Sequence, residues 1–466
     1  MAAARTPLGP ILAIGLLLAA CGASPSPSAP PSGTAAASAS ASASASAASS
    51  IGPGHVVPAP GSDSEVYEPN PGAIVVAIDP GHGGCLDWGV PNPWDNTVEK
   101  AEKADTLGIG LALRDLLEEQ GISVVMTRID DSALAGDDYP QLGCEGPPWR
   151  DVDGDGQAGF EETGRIRTRD ELQARIDLAN LARADLLVSI HINSMTQDGV
   201  AYEIAATQTF YDDETPWGEA GSGELGRSVQ DSVVAALDAL AGYERQDRGT
   251  EAVAYYMISR QWQDADTCET PGDTWCKPHR AAQLPAVLAE VGSITLEAES
   301  ELLAGQAGRR AVAEGLYEGI RRWLQERELA VRYDALVPGG EAGSVPGPIP
   351  GEGPPFAAAE IAQTDLVDGS LPLRLTNTGT RAWSEGLALL LGWEATDAPY
   401  LPQPPAALEQ AGVEVPALAP GESVTLHLPL ELPEAGRSLL WLSLSDRDET
   451  FADLGSPALQ LAHAAR

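Results

Sequence analysis

The 466-residue chain carries 68 acidic against 28 basic side chains, a formal charge of −40, and only three of its cations are lysines (Lys100, Lys103 and Lys277). This balance repels phosphate backbones and anionic lipid, which excludes a nucleic-acid partner and fits the solvated surface of an exported protein. The length exceeds one typical domain and allows two or three, with ample material for a sizeable core.

In chain order, Arg5 and the run "ILAIGLLLAA" read as an export signal, too short to span a bilayer as an ordinary helix. The run ends in Leu18-Ala19-Ala20-Cys21, which resembles the bacterial lipobox. That resemblance implies a signal peptide over 1–21 and a lipid on Cys21 that anchors the protein to a membrane of the bacterial cell envelope. Residues 22–70 are Ala, Ser, Pro and Gly, with the near-repeat "ASASASASAA", and read as a disordered tether.

From there the pattern alternates. An apolar strand is expected at 74–78, then a helix at 99–120 with Leu107, Leu111, Leu113, Leu116 and Leu117 on its apolar side and Gly121 at its end. "ISVVMTR" follows as a strand, "DELQARIDLANLAR" as a helix and "DLLVSIHIN" as a strand. A helix at 225–240, a buried strand "PAVLAEVG" and a helix at 296–328 close a unit assigned to 71–332. Alternating strands and helices predict an α/β fold, a mostly parallel sheet flanked by helices, with its site beyond the carboxyl ends of the strands. Three of the strands run into His82, His191 and Glu290.

A Pro/Gly linker is expected at 333–356, and 357–466 holds short strands separated by turns, the pattern of an all-β sandwich. With Cys21 assigned to lipid, four cysteines remain for an oxidising compartment. Cys268 and Cys276 are close enough to staple one loop, which makes Cys85 and Cys144 the other pair, although spacing alone does not fix connectivity. "DVDGDGQAGFEE" matches a twelve-residue calcium loop. In it Asp151, Asp153 and Asp155 offer side-chain oxygens, Gln157 a carbonyl and Glu162 a closing carboxylate, for a structural Ca2+.

Four motifs in order, "IDPGHGG", "EKADTLGIGLALRDLLEEQGISVVMTR", "ARIDLANLARADLLVSIHINS" and "PAVLAEVGSIT", resemble the zinc-dependent N-acetylmuramoyl-L-alanine amidases, bacterial cell-wall hydrolases. The resemblance covers about 73–332. It implies a Zn2+ cofactor held by His82, Glu102 and His191, with Glu290 as the catalytic carboxylate. It also implies peptidoglycan as the partner, cut between N-acetylmuramic acid and L-alanine by a zinc-activated water. Glu99-Lys100 is a second Glu-Lys pair one helical turn before Glu102, but only Glu102 aligns "EKxxxL" through Leu107. A carboxylate ending the apolar strand "PAVLA" is costly unless metal or substrate uses it. Ile192 and Ser293 depart from the family's usual alanine and phenylalanine, and the segments 130–165 and 256–283 are longer than the family pattern expects. The alternative is a catalytically silent peptidoglycan-binding or recruiting protein on the same fold. "NTGTxxW", Asn377 to Trp383, resembles Ig-like modules and implies a cell-wall or protein partner for the C-terminal part.

Overall fold

The structure, a computed structural model, describes residues 74–90, 101–137, 140, 143–146, 148–153, 158, 168–194, 196–197, 200–201, 204–259, 280–337, 340–342, 358–447 and 449–465. The expected lipid site at Cys21, the tether, Glu99, the Cys268–Cys276 pair, and Asp155, Gln157 and Glu162 of the acidic loop all lie outside these residues.

Strands β1 (Val75–Pro80), β2 (Ser123–Met126), β3 (Leu186–Asn193), β4 (Ala205–Tyr211), β5 (Arg245–Ala252) and β6 (Ala286–Ser293) form one sheet in the order β2-β1-β3-β6-β4-β5. The sheet is parallel from β2 to β6, antiparallel between β6 and β4, and parallel again between β4 and β5. The sheet is thus mostly parallel, as expected, with one antiparallel step between β6 and β4. Neither β4 nor β5 was foreseen. β4 reads "AATQTFY" without an apolar alternation, and β5 is a largely exposed polar edge strand, so periodicity carries no signal there.

Helices α1 (Glu102–Glu119), α2 (Arg169–Leu181), α3 (Glu224–Asp238), α4 (Glu297–Ala304) and α5 (Gln306–Glu326) cover the sheet. The single helix expected over 296–328 divides at Gly305, whose ψ of 150° is extended. Alternate residues of β1 feed two cores. Val76 and Ile78 pack with Ile109 of α1, Val229 of α3 and Leu316 of α5. Val75 and Ala77 pack with Ala174 and Leu178 of α2. The period-2 alternation of a strand thus seals helices onto both faces, and loops at the carboxyl ends stay free to build a site.

The C-terminal part holds two sheets. One contains β7 (Val331–Val337), β8 (Ser370–Asn377) and β10 (Ser423–Pro429); the other contains β9 (Ala388–Ala395), β11 (Arg437–Asp446) and β12 (Leu459–Ala464). Tyr333, Leu373 and Leu428 from the first share one core with Leu389, Leu442 and Leu461 from the second, and Trp383 is buried in it. The linker expected from residue 333 instead begins inside a strand, because β7 pairs antiparallel with β8.

Buried polar contacts fasten this part to the α/β part. Arg327 donates to Asp185 Oδ1 (2.9 Å) and to Gly455 O (2.9 Å), while Asp185 Oδ2 accepts from the Val75 N–H that opens β1. Tyr400 donates to Asp177 of α2 at 2.7 Å. Among the described residues no helix is long and apolar enough to cross a membrane.

Candidate metal centre and active site

β1 ends in Asp79-Pro80 and the chain then turns through Gly81 to Gly84. A Cβ on Gly81 would lie 2.5 Å from the His191 ring, so only glycine lets that imidazole lie against the turn. His82 has φ of 63°, the left-handed region that a histidine seldom adopts, and Gly83 and Gly84 follow at 136° and 70°. Arg175 of α2 holds this strained turn from below. Its guanidinium donates to the His82 carbonyl (2.8 Å), the Pro80 carbonyl (3.0 Å) and Asp79 Oδ1 (2.8 Å), and pairs with Glu171 one turn back on its own helix.

Glu102 opens α1 and is buried, 2% exposed. Its two oxygens split the surroundings evenly. Oε2 faces His82 Nε2 at 3.2 Å and accepts from Val90 N–H at 2.8 Å. Oε1 faces His191 Nδ1 at 3.2 Å and accepts from Ile192 N–H at 2.8 Å. Ile192, a departure from the family pattern, serves here through its backbone. Its side chain is buried in the core. The two imidazoles meet edge to face, centroids 4.8 Å apart.

His191 lies on β3 directly opposite Glu290 of β6 in the parallel register. One oxygen of Glu290, Oε2, is buried with no hydrogen-bond partner among the described residues. Ser293, the second departure, is fully buried, with its N–H on Glu299 Oε2 (2.8 Å) and its hydroxyl beside Thr295. No aromatic side chain stands at that position.

The electrostatics follow from this packing. Burial opposes ionisation of Glu102, yet the His82 and His191 rings outweigh it and hold the carboxyl well below the usual carboxylate range. Burial likewise opposes a charge on His82, but Asp87 and Glu102 overcome it and raise the imidazole well above its ordinary value. The pocket therefore favours positive charge. Glu290 moves the other way: burial first, and the Glu102 carboxylate second, push it up to about 8.

His82, Glu102 and His191 each offer a ligand atom, all within 4.8 Å of one another. Two imidazole nitrogens and a carboxylate oxygen suit zinc with a position left open. A Cβ on Gly89 would lie 2.5 Å from both Glu102 Oε2 and the His82 ring, so only glycine lets the chain pass this close to the two ligands. The unsatisfied Glu290 oxygen is what an acid or base waiting for water or substrate would show. The residues fit the metal that the sequence resemblance implies.

The structure brings together all four residues singled out from sequence. It adds Asp79, Asp87 and Arg175, which sequence reasoning passed over. Each stands within a few residues of a singled-out stretch, but nothing in local pattern shows that a charge is buried. Of the acidic loop, Asp151 and Asp153 lie with Asp170 of α2, their carboxylate oxygens within 4.8 Å, and Asp153 also pairs with Arg169 at 2.9 Å.

Cys85 and Cys144 form a disulfide, Cα atoms 5.5 Å apart, that fastens the turn carrying His82 to the 130–165 segment. The bond spans 59 residues. Chain-entropy arguments give about 4 kcal/mol for a loop of that length. Cys144→Ser is expected to lower the stability of the non-reduced protein by about that amount in denaturant unfolding. A change below about 1 kcal/mol would show that the loop is held by its other contacts.

The family model described as N-acetylmuramoyl-L-alanine amidase matches residues 76–322. The germination-specific N-acetylmuramoyl-L-alanine amidase of Bacillus subtilis (strain 168) is 24% identical over 254 residues, 54% of this chain and 81% of that protein. Among solved structures, the N-acetylmuramoyl-L-alanine amidase from Clostridium difficile 630 is 25% identical, with a TM-score of 0.37 over 54% of this chain and 97% of that one. The CwlD amidase from Clostridioides difficile, solved in complex with the GerS lipoprotein, is 24% identical with a TM-score of 0.37, covering 54% of this chain and 99% of that one. Since the family model takes in more than half of the residues, and it spans the strands and the start of α1 that carry the two histidines and two glutamates just described, the chain belongs to the N-acetylmuramoyl-L-alanine amidases.

Proposed function

We propose that this peptidoglycan amidase works with a zinc ion held by His82, Glu102 and His191, and with Glu290 as its acid and base. The observation that carries the reading is the convergence of two imidazoles on one buried carboxylate, across a strand register from a second carboxylate with an unsatisfied oxygen. A zinc ion so held supplies Lewis acidity and lowers the pKa of water. Glu290 takes the proton of the attacking water and hands it to the departing amine of L-alanine, so that N-acetylmuramic acid keeps its lactyl carboxylate. Burial around Glu290 keeps that proton from bulk water between the two steps.

Incubation of purified peptidoglycan with the metal-loaded protein should release stem peptides that begin with a free L-alanine amine, identified by mass spectrometry. Chelator should abolish release and zinc restore it. Release that survives complete demetallation would sink the zinc reading. Binding to the wall with no release by the metal-loaded protein would instead favour a silent binder.

The remaining assignments extend this reading. Residues 71–332 act as the catalytic domain and 357–466 as an Ig-like β-sandwich, with β7 bridging the two; the shared core of the two sheets and the buried Trp383 support the sandwich. Leu18 to Cys21 supports a lipid anchor that holds the enzyme at the cell envelope on a 22–70 tether. A cell-wall or protein partner is assigned to the C-terminal part. A structural Ca2+ at the acidic loop is supported by the Asp151, Asp153 and Asp170 cluster together with the twelve-residue pattern. Calcium titration is expected to raise the melting temperature and protect the 130–165 segment from protease. No change in either would make the loop plain acidic surface.

A further inference from the structure

The loop after His82 folds back on the ring. Gly83 N–H donates to the Asp87 carbonyl at 2.8 Å, and the two residues form an isolated antiparallel bridge. The closure brings Asp87 Oδ1 to 2.8 Å from His82 Nδ1. The same oxygen accepts from Gly89 N–H at 3.3 Å, so the carboxylate is itself held. Val90, next in the loop, donates its N–H to Glu102 Oε2. One short turn thus orients two of the three expected ligands. The trio is asymmetric: His82 turns Nε2 toward Glu102, whereas His191 turns Nδ1 toward it.

We propose that Asp87 is a positioning residue for the metal centre: it takes the Nδ1–H of His82, fixes the ring in that tautomer and leaves the Nε2 lone pair for the cation. The inference rests on the zinc reading of His82. The physical case is that a neutral imidazole has one donor and one acceptor nitrogen, and the partner of one decides which face the other shows. A carboxylate also raises the basicity of the ligating nitrogen, and loss of such an outer partner typically lowers metal affinity by about 10–100-fold. His82 needs this hold more than most, because its left-handed backbone has no helix or strand to fix the side chain.

The test uses the full chain and four variants, Asp87→Asn, Asp87→Ala, Asp87→Glu and His82→Ala, with zinc affinity read by competition against a chelator. Tautomer is read from the His82 ring 15N shifts. His82→Ala is expected to lose zinc. Asp87→Asn and Asp87→Ala should bind it about 10–100-fold more weakly, with the 15N pattern no longer that of a single Nδ1–H tautomer. Asp87→Glu, which keeps the charge, should recover part of the affinity. If His82→Ala loses zinc while Asp87→Asn and Asp87→Ala bind it as the parent does, the role of Asp87 is overturned and the zinc reading stands. If His82→Ala binds zinc unchanged, both fall. Weaker binding by Asp87→Asn with an unaltered 15N pattern would overturn the tautomer role and leave Asp87 as a brace for the loop.

Discussion

Glu290→Gln is expected to lower stem-peptide release from peptidoglycan by a factor of about 10²–10⁴ while the zinc content of the protein stays at one ion. Glutamine keeps the shape and burial of the side chain but can neither take nor return a proton. Glu290 faces His191 across the sheet, and its buried Oε2 has no hydrogen-bond partner among the described residues that the change would remove. Stability should not fall, since the change removes a carboxyl that burial and Glu102 both disfavour in its charged form. A cation held by the trio adds positive charge beside Glu290 and opposes both causes, which brings the carboxyl toward the range in which it can act as base. Activity within about tenfold of the parent would show that proton transfer does not pass through Glu290. Loss of zinc in the same variant would assign Glu290 to the metal rather than to the proton.

The second large effect concerns stability. Arg175→Met is expected to destabilise the protein by about 3–5 kcal/mol, because it leaves two buried carboxylates without their cation. Asp79 is 1% exposed and Glu171 2% exposed, and both pair with this one guanidinium. Asp79 is held ionised against the cost of burial chiefly by Arg175, with Ser189 and Thr127 hydroxyls completing its shell. Lysine is a poor substitute, since a single ammonium cannot bridge Asp79, Glu171 and the carbonyls of Pro80 and His82 together. Arg175→Lys should therefore lose most of the same stability and also loosen the His82 turn, which weakens zinc binding. A denaturant midpoint shift worth under about 1 kcal/mol would mean that the network relaxes around the loss.

How much of this was legible in sequence can be traced residue by residue. His82 stood out because a buried apolar run stopped at a glycine-rich turn, and His191 and Glu290 because each ended or interrupted a similar run. Glu102 needed the order of the motifs, and its identity as a site residue rests on spacing that Glu99 could have mimicked. Cys85 and Cys144 were the pair that remained once the short-range one was set aside, a connectivity that spacing alone left open, and the structure contains that disulfide. Asp87 sat five residues from His82 in plain view, yet an acidic residue in a turn of a chain with 68 acidic side chains carries no signal.

The sequence by itself determined the elements with strong periodicity and the glycine-rich turn, because these depend on neighbours a few residues apart, and the family, because four motifs stand in order along the chain. The tertiary structure alone decided the reversal of β4 in the sheet, the recruitment of β7 into the C-terminal sheet, and the burial of Arg175 between Asp79 and Glu171. Each of these is set by strand register and helix docking between residues tens to hundreds of positions apart, and a charge acquires its meaning only when such packing removes it from water. His82, Glu102 and His191 are 20 and 109 residues from first to second and first to last. Their meeting at one point is a property of the sheet order β1-β3 with α1 packed beside it, and of no local pattern.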